Sequence, residues 1–479
     1  MAPQCGDAGI IRYSDNIPLI NNILRNISAS IILRKPKGVK AIYQSSGEFD
    51  PRINRYVCAM LERFILTVLR QFIQSGQLTI IIPSGRQVQF GTPGTGPVAE
   101  ITVHDQSTLR RLVTQPDLEF GEAYMDGRLT PGAGGLEPLM DLIMANSDSW
   151  SRHWVGRITL GVGNLLAAFR HLNLPGRSRR NVAHHYDLTD ELFDCFLDPW
   201  RQYSCAYFHS AEDSLEMAQI TKLARIVAKL NLQDGHRVLD IGCGWGGLAR
   251  ALATCRRNVS VRGITLSERQ LAHARLAANQ TNKADSLDFQ LLDYRYQQGS
   301  FDRIVSVGML EHVGPRNYAT YFDRVADLLA PGGVALIHSI AVHRRAAPMN
   351  RWLTRYIFPG GYLPSIEQLV RATSGRGWKL LDLEVMRGHC ADTLRHWRLR
   401  FLTHRDRIQE IYDARFVRMW EFYLLSCEYF FRSQHGMVVQ VLLSDDHLAM
   451  PDSRAYFHDL ETKFRAILCQ NSPSGNAKL

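Results

Sequence analysis

Residues 236–247 read His-Arg-Val-Leu-Asp-Ile-Gly-Cys-Gly-Trp-Gly-Gly, and Leu-Ala-Arg-Ala-Leu-Ala follows directly. An apolar run that ends in a carboxylate, crosses a glycine-rich loop and opens into helical spacing reads as strand, turn and helix. Glycine removes the side chains there, so a ligand approaches the backbone where a doubly wound sheet changes direction. Outward from this point, apolar runs at 259–264, 287–292, 303–308 and 334–340 alternate with helical stretches at 267–279 and 318–329. The alternation predicts an α/β domain over 181–450, with a doubly wound, mainly parallel sheet covered on both faces. Residues 451–479 are expected to form a C-terminal helix and tail.

Upstream the period changes. Leu78-Thr-Ile-Ile-Ile, Gln87-Val-Gln-Phe and Val98-Ala-Glu-Ile-Thr-Val are short β-rich runs between Pro, Gly and Ser turns. Residues 105–143 read mostly helical, broken by Pro131-Gly-Ala-Gly-Gly. A smaller N-terminal α+β domain over 56–150 follows, led by apolar positions 60, 61, 64, 65, 68, 69, 72 and 73 on one helical face. Residues 1–55 hold no sustained period, which reads either as a poorly ordered extension ahead of a later start or as a genuine N-terminal arm. Residues 151–180 carry six arginines and no acidic residue. Their apolar positions recur at helical spacing, as in a connector helix between domains or a basic helix resting on anionic lipid.

The 479 residues have a net charge of +10 and a pI near 9.2, which suggests an anionic partner. Nine dispersed cysteines with no CxxC pair predict neither a metal site nor a disulfide framework, and fit a reducing cytoplasm. No uncharged apolar run reaches the roughly 18–20 residues of a membrane span, and the first residues lack the order of a signal peptide. The expected location is cytoplasmic, with any membrane contact peripheral. Nucleic acid is not an expected partner, because stacking platforms and a binding motif are both missing.

The glycine loop departs from the GxGxxG pattern of dinucleotide sites, and its carboxylate, Asp240, precedes the glycines. No long pyrophosphate is implied. An Asp at the mouth suits a cationic ligand, such as an amino acid joined to a nucleoside through a sulfonium sulfur. Asp240-x-Gly-x-Gly-x-Gly resembles motif I of class I S-adenosylmethionine-dependent methyltransferases. The second strand, however, ends in Ile264-Thr-Leu-Ser where those enzymes usually place an Asp or Glu against the ribose. Within that class, the chain resembles the cyclopropane-fatty-acyl-phospholipid synthases and their mycolic-acid relatives. The matching stretches include His185-Tyr-Asp-Leu, Tyr203-Ser-Cys-Ala-Tyr-Phe, Gly263-Ile-Thr-Leu-Ser, Glu311-His-Val-Gly and His338-Ser-Ile. Tyr356-Ile-Phe-Pro-Gly-Gly-Tyr-Leu-Pro-Ser, Tyr423-Leu-x-x-Cys and, in the small domain, Gly121-Glu-Ala-Tyr-Met-Asp-Gly complete the set.

The resemblance implies S-adenosylmethionine contacts at Tyr203, Ser204, Asp240, Gly242, Cys243, Gly244, Gly246, Thr265, Gln270, Tyr294 and Arg295. Gln270 is an uncharged substitute for the missing ribose carboxylate. Asp293 is placed to accept from an adenine amine, or else to start the next turn. The resemblance also implies a bicarbonate ion lined by Cys205, Glu311, His338, Ile340 and Tyr423, with Glu311 orienting it. Cys427 holds the family's Tyr-Leu-x-x-Cys position; with no acyl group transferred, it reads as pocket lining.

Methylation of an alkene leaves a carbocation, and ring closure removes a proton from the transferred methyl. Such a site must exclude water and place a base and negative electrostatics beside the charge. The substrate implied is an unsaturated phospholipid at the inner face of the membrane, converted to a cyclopropane chain. Methyl-branched or hydroxylated products, or another lipid or amine acceptor, are the alternative. Withdrawing ten methylenes from a bilayer costs on the order of 8 kcal/mol, so an apolar tunnel is expected. Trp352, Tyr356, Ile357, Phe358, Tyr362, Trp420, Phe422, Phe430 and Phe431 are its candidate lining. Arg344, Arg345, Arg351 and Arg355 read as a lid touching phospholipid head groups. The family resemblance further suggests a homodimer.

Overall fold

The computed structural model describes residues 70, 72–147, 188–343, 349–374 and 377–473. The expected extension 1–55, most of the leading helix, the basic segment 151–180, His185-Tyr-Asp, and Arg344 and Arg345 lie outside those residues.

The small sheet comprises β1 (Gln77–Ile81), β2 (Gln87–Gly91), β3 (Val98–Val103) and β4 (Leu129–Pro131), in the order β2-β1-β3-β4. β1 runs antiparallel to β2 and parallel to β3, and β4 closes antiparallel on β3. Alternation along β3 turns Ala99, Ile101 and Val103 into the core. Helices Gln106–Thr114, Pro116–Met125 and Glu137–Ala145 follow. The Asp105 carboxylate caps the first by accepting from Thr108 N at 2.8 Å, and Pro116 opens the second.

The large sheet has seven strands: β5 (Arg237–Ile241), β6 (Ser260–Thr265), β7 (Leu287–Leu291), β8 (Phe301–Val307), β9 (Leu329–Val342), β10 (Lys379–Met386) and β11 (Gly436–Ser444). Their order is β10-β11-β9-β8-β5-β6-β7. Strands β5 to β9 pair in parallel, whereas β11 runs antiparallel between β9 and β10. The doubly wound, mainly parallel α/β sheet read from the sequence is therefore present, extended by β10 and β11. Every residue of β11 is buried, so its sequence carries no alternation to mark it. The helix Ala455–Gln470 packs through Phe457, Phe464 and Leu468 into the same core as Leu215–Lys229 and Gly247–Cys255.

The small module docks through Pro116–Met125, which lies against Arg351–Tyr356 and Ala414–Arg432. A Cβ on Gly121 would stand 2.4 Å from Trp352 Nε1 and 2.8 Å from Phe422 Cε1, so only glycine permits this approach. Polar contacts surround that point. Arg351 grips Asp117 at 2.6 and 2.8 Å, and Arg355 and the Tyr356 hydroxyl donate to Glu122 at 3.0 and 2.8 Å. Arg418 donates to the Met125 carbonyl at 2.7 Å. Arg351 and Arg355, read from sequence as head-group contacts, are thus paired with carboxylates of the small module while staying exposed. Among the described residues, no helix is long and apolar enough to cross a membrane.

Candidate active site

A cavity opens where the loops after β5, β6, β7 and β8 leave the sheet, beside the switch between β5 and β8. Tyr203, Ser204, Asp240, Gly242, Cys243, Gly244, Thr265, Gln270, Asp293, Tyr294 and Arg295 all line it. Gly246 does not. It stands behind the loop at φ +80°, where a Cβ would meet Phe289 Cζ at 2.8 Å, and lets the following helix seat on the sheet. Gly242, at φ +81°, faces Met309 across the cavity mouth.

The polar lining is fixed from behind. Asp240 is 2 % exposed, and its Oδ2 has no hydrogen-bond partner among the described residues. Burial pushes its carboxyl up to about 7, against the opposing charge of Lys222. Thr265 Oγ1 donates to Gln270 Oε1 at 3.0 Å, orienting the carboxamide so that its N–H groups are not used in that bond. Asp293 accepts from Arg295 through both oxygens, at 2.8 Å from Nε and 2.5 Å from Nη2, and from Arg295 N at 3.0 Å. Its carboxylate thus starts the turn Tyr294–Tyr296 while still lining the cavity.

This donor set fits the cationic amino-acid nucleoside. A buried carboxylate oxygen without a partner offers a place for an ammonium, the glycines admit the ligand to the backbone, and Gln270 offers donors or acceptors for hydroxyls. His312 also lines the cavity, and burial lowers it to about 4, leaving the ring neutral. Met309, Asn317 and Pro359 line it as well. Sequence reasoning gave none of these four a role, because each lies in a turn with no period of its own.

Beside the cavity, Glu311 is 5 % exposed, and its Oε1 accepts from Ile340 N at 2.5 Å. Its Oε2 has no partner among the described residues, and burial raises the carboxyl to about 6, opposed by the Ile340 amide and the Ser339 hydroxyl. His338 and Ile340, two residues apart on β9, point to one face. Gln440 of β11 meets His338 Nδ1 at 3.2 Å, and burial lowers the imidazole to about 3, so it stays neutral. The Tyr203 and Tyr423 hydroxyls lie 2.7 Å apart, and Cys205 Sγ donates to the Ala206 carbonyl at 3.3 Å. Cys205, Cys427 and Glu311 are all close enough to act electrostatically on Cys390. Burial pushes the Cys427 thiol up to about 12, so it is not a thiolate. Cys205, Tyr423, Ile340 and Cys427 belong to one apolar cluster with Trp352, Tyr356, Phe358 and Trp420. Of the expected tunnel residues, Tyr362 packs instead in the cluster around Tyr318 and Leu369.

A seven-stranded sheet of this order, with one antiparallel strand and a carboxylate-glycine loop feeding a cavity at its carboxyl edge, defines a class I S-adenosylmethionine-dependent methyltransferase. A family model described as mycolic acid cyclopropane synthetase matches residues 175–441, and the chain belongs to that family. A second model, a domain of unknown function, matches residues 65–153. The chain is 38% identical over 356 residues to the cyclopropane-fatty-acyl-phospholipid synthase of Escherichia coli strain K12, covering 73% of this chain and 89% of that relative. Among solved structures, the cyclopropane synthase MmaA2 from Mycobacterium tuberculosis superposes with a TM-score of 0.53 at 33% identity, over 57% of this chain and 99% of that one. The mycolic acid cyclopropane synthase CmaA1 complexed with SAH and CTAB gives 0.52 at 33% identity, over 55% and 97%.

Proposed function

We propose that this chain transfers a methylene group from S-adenosylmethionine to the cis double bond of an unsaturated phospholipid acyl chain, forming a cyclopropane ring. The observation that carries the reading is that Cys205 and Tyr423 lie in an aromatic cluster joined by Ile340, whose amide holds Glu311 and whose face of β9 carries His338, with the Tyr423 hydroxyl bonded to Tyr203 of the cofactor cavity. A weak π nucleophile needs no base to activate it, but its cationic product needs negative charge and a proton acceptor in a dry place.

When bound, S-adenosylmethionine supplies an electrophilic methyl on its sulfonium sulfur. Asp240 receives the ammonium of its amino-acid end, Gln270 the ribose hydroxyls, and the glycines of the loop make room for both. Trp420, Phe358 and Tyr423, with ring centroids 5.6 Å apart for Phe358–Tyr423 and 5.2 Å for Trp420–Tyr423, exclude water and turn π faces toward developing positive charge. The free oxygen of Glu311 fits an anion that carries its own proton: a bicarbonate hydroxyl would donate to it. Cys205, His338, Ile340 and Tyr423 would surround that ion, which would supply the base for the methyl proton. His338 stays neutral throughout and acts as a hydrogen-bonding wall. Cys427 and Cys390 line the pocket as protonated thiols.

The substrate is proposed to be reached from the membrane surface, with the apolar cluster around Trp352 and Phe422 opening to take the acyl chain from the bilayer. The net charge of +10 favours an anionic surface. Purified chain mixed with S-adenosylmethionine and vesicles of cis-unsaturated phospholipid is expected to release S-adenosylhomocysteine. Vesicles of fully saturated phospholipid should give none. Equal release from both would remove the alkene as acceptor.

A further inference from the structure

Helix Leu215–Lys229 runs buried beneath the segment that forms one wall of the cofactor cavity. Most of its inward face is apolar, but Gln219 and Lys222, one turn apart, are 0 % and 1 % exposed. Gln219 Nε2 donates to the carbonyls of Gln202 and Ser204, at 3.3 and 3.0 Å. Lys222 Nζ donates to Gln202 Oε1 at 2.5 Å and to Ser204 Oγ at 3.0 Å. A lysine this deep gives up its hydration, and both of these hydrogen-bond acceptors are neutral. Burial lowers the ammonium to about 8, opposed by the carboxylates of Asp198 and Asp240; the Cys205 thiol and the neutral His338 also face it. Asp198 is already held by the amides of Trp200 and Gln202, at 2.8 and 2.9 Å. Asp240 has an oxygen with no partner among the described residues and faces Lys222 and the Cys243 thiol.

We propose that Lys222 is a positioning residue for the amino-acid end of S-adenosylmethionine: its ammonium holds Ser204 and Gln202 in the cavity wall and opposes proton uptake by the Asp240 carboxylate, which receives the ligand's ammonium. The inference rests on reading the cavity as the site of that cofactor. A buried carboxylate left alone takes up a proton, and a protonated Asp240 offers an ammonium no charge. Lys222 opposes this without occupying the ligand's place, because its two hydrogen bonds go to the wall. Gln219 anchors the same wall through backbone carbonyls and adds no charge, which makes it the natural comparison.

The test is calorimetric affinity for S-adenosylhomocysteine, which has the amino-acid end, and for 5′-methylthioadenosine, which lacks it, between about pH 6 and pH 9. In Lys222→Gln and Lys222→Met, S-adenosylhomocysteine is expected to bind about tenfold or more weakly at neutral pH and to recover as the pH rises. Methylthioadenosine affinity should change by less than about twofold. Lys222→Arg, which keeps the charge, should restore near wild-type affinity for S-adenosylhomocysteine at neutral pH. Gln219→Leu should weaken both ligands equally at every pH. A loss in Lys222→Gln that is independent of pH, or shared by both ligands, overturns the proposal, as does unchanged affinity. Should Lys222→Gln and Lys222→Met fail to fold, a Lys222→Arg chain that binds S-adenosylhomocysteine about tenfold or more weakly at neutral pH, with methylthioadenosine affinity unchanged, overturns it. Failure of the wild-type chain to bind S-adenosylhomocysteine would instead remove the cofactor reading itself.

Discussion

The Tyr203 hydroxyl lies 2.7 Å from the Tyr423 hydroxyl. Tyr203 lines the cofactor cavity, while Tyr423 sits on helix Ala414–Arg432 among the aromatic side chains beside Glu311. One hydrogen bond therefore joins the compartment that holds the methyl donor to the compartment that must hold the alkene. Either tyrosine can donate, so the pair fixes two ring orientations at once.

Tyr423→Phe and Tyr203→Phe are each expected to lower kcat by about tenfold or more, with the double variant little worse than either single one. Steady-state rates on cis-unsaturated vesicles check this. Losses that simply multiply would mean that the two hydroxyls act separately.

Glu311→Gln separates catalysis from stability. Its rate should fall by about 10²–10⁴, as for loss of an acid–base group, while S-adenosylhomocysteine affinity stays near wild type. Because burial raises the folded carboxyl to about 6 from an ordinary 4.5, the folded state binds the proton more tightly than the unfolded state. The stabilisation by the protonated form is complete below about pH 4.5 and lost as pH rises through about 6. Glu311→Gln should thus be more stable than wild type by on the order of 1–2 kcal/mol at pH 7.5, and no more stable at pH 4. Denaturant melts at the two pH values decide it.

Gly121→Val tests the docking of the small module. The added side chain must displace the Trp352 indole or the Phe422 ring, which overpacking puts at about 1–3 kcal/mol. Turnover of vesicle lipid should drop while S-adenosylhomocysteine still binds, since neither ring lines the cofactor cavity. Equal loss of both would mean that the whole chain is destabilised.

Much of this was legible because two signals are local. The run ending at Asp240 and its glycines marked β5, the loop and the helix after it, and the β-then-helix period carried that reading as far as β9. It stopped there for a physical reason. β11 is buried along its whole length, and β10 mixes Lys379, Asp382 and Glu384 into an apolar run, so neither shows a period of two. Lys222 was passed over because a lysine in a helix reads as surface until the packing above it is known. The Asp293–Arg295 pair is likewise invisible in sequence, where Asp293 read as an adenine contact with a turn start as the alternative. Arg351 and Arg355 looked like a basic lid because their partners, Asp117 and Glu122, lie more than two hundred residues upstream.

Cys427→Ala is expected to keep turnover within about twofold of wild type, because a protonated, buried thiol has no nucleophilic task in alkene methylation. A loss beyond about a hundredfold with S-adenosylhomocysteine binding intact would give the thiol a chemical role.

The most direct test of ring formation is mass spectrometry of phospholipid acyl chains from cells that express this chain and are fed methyl-deuterated methionine, with Glu311→Ala as the control. Closure of a cyclopropane removes one methyl hydrogen, so the chains should gain a single carbon carrying two deuterons, and the control should gain none. Chains that keep all three deuterons would contradict ring closure and assign a methyl-branched or hydroxylated product to the same site.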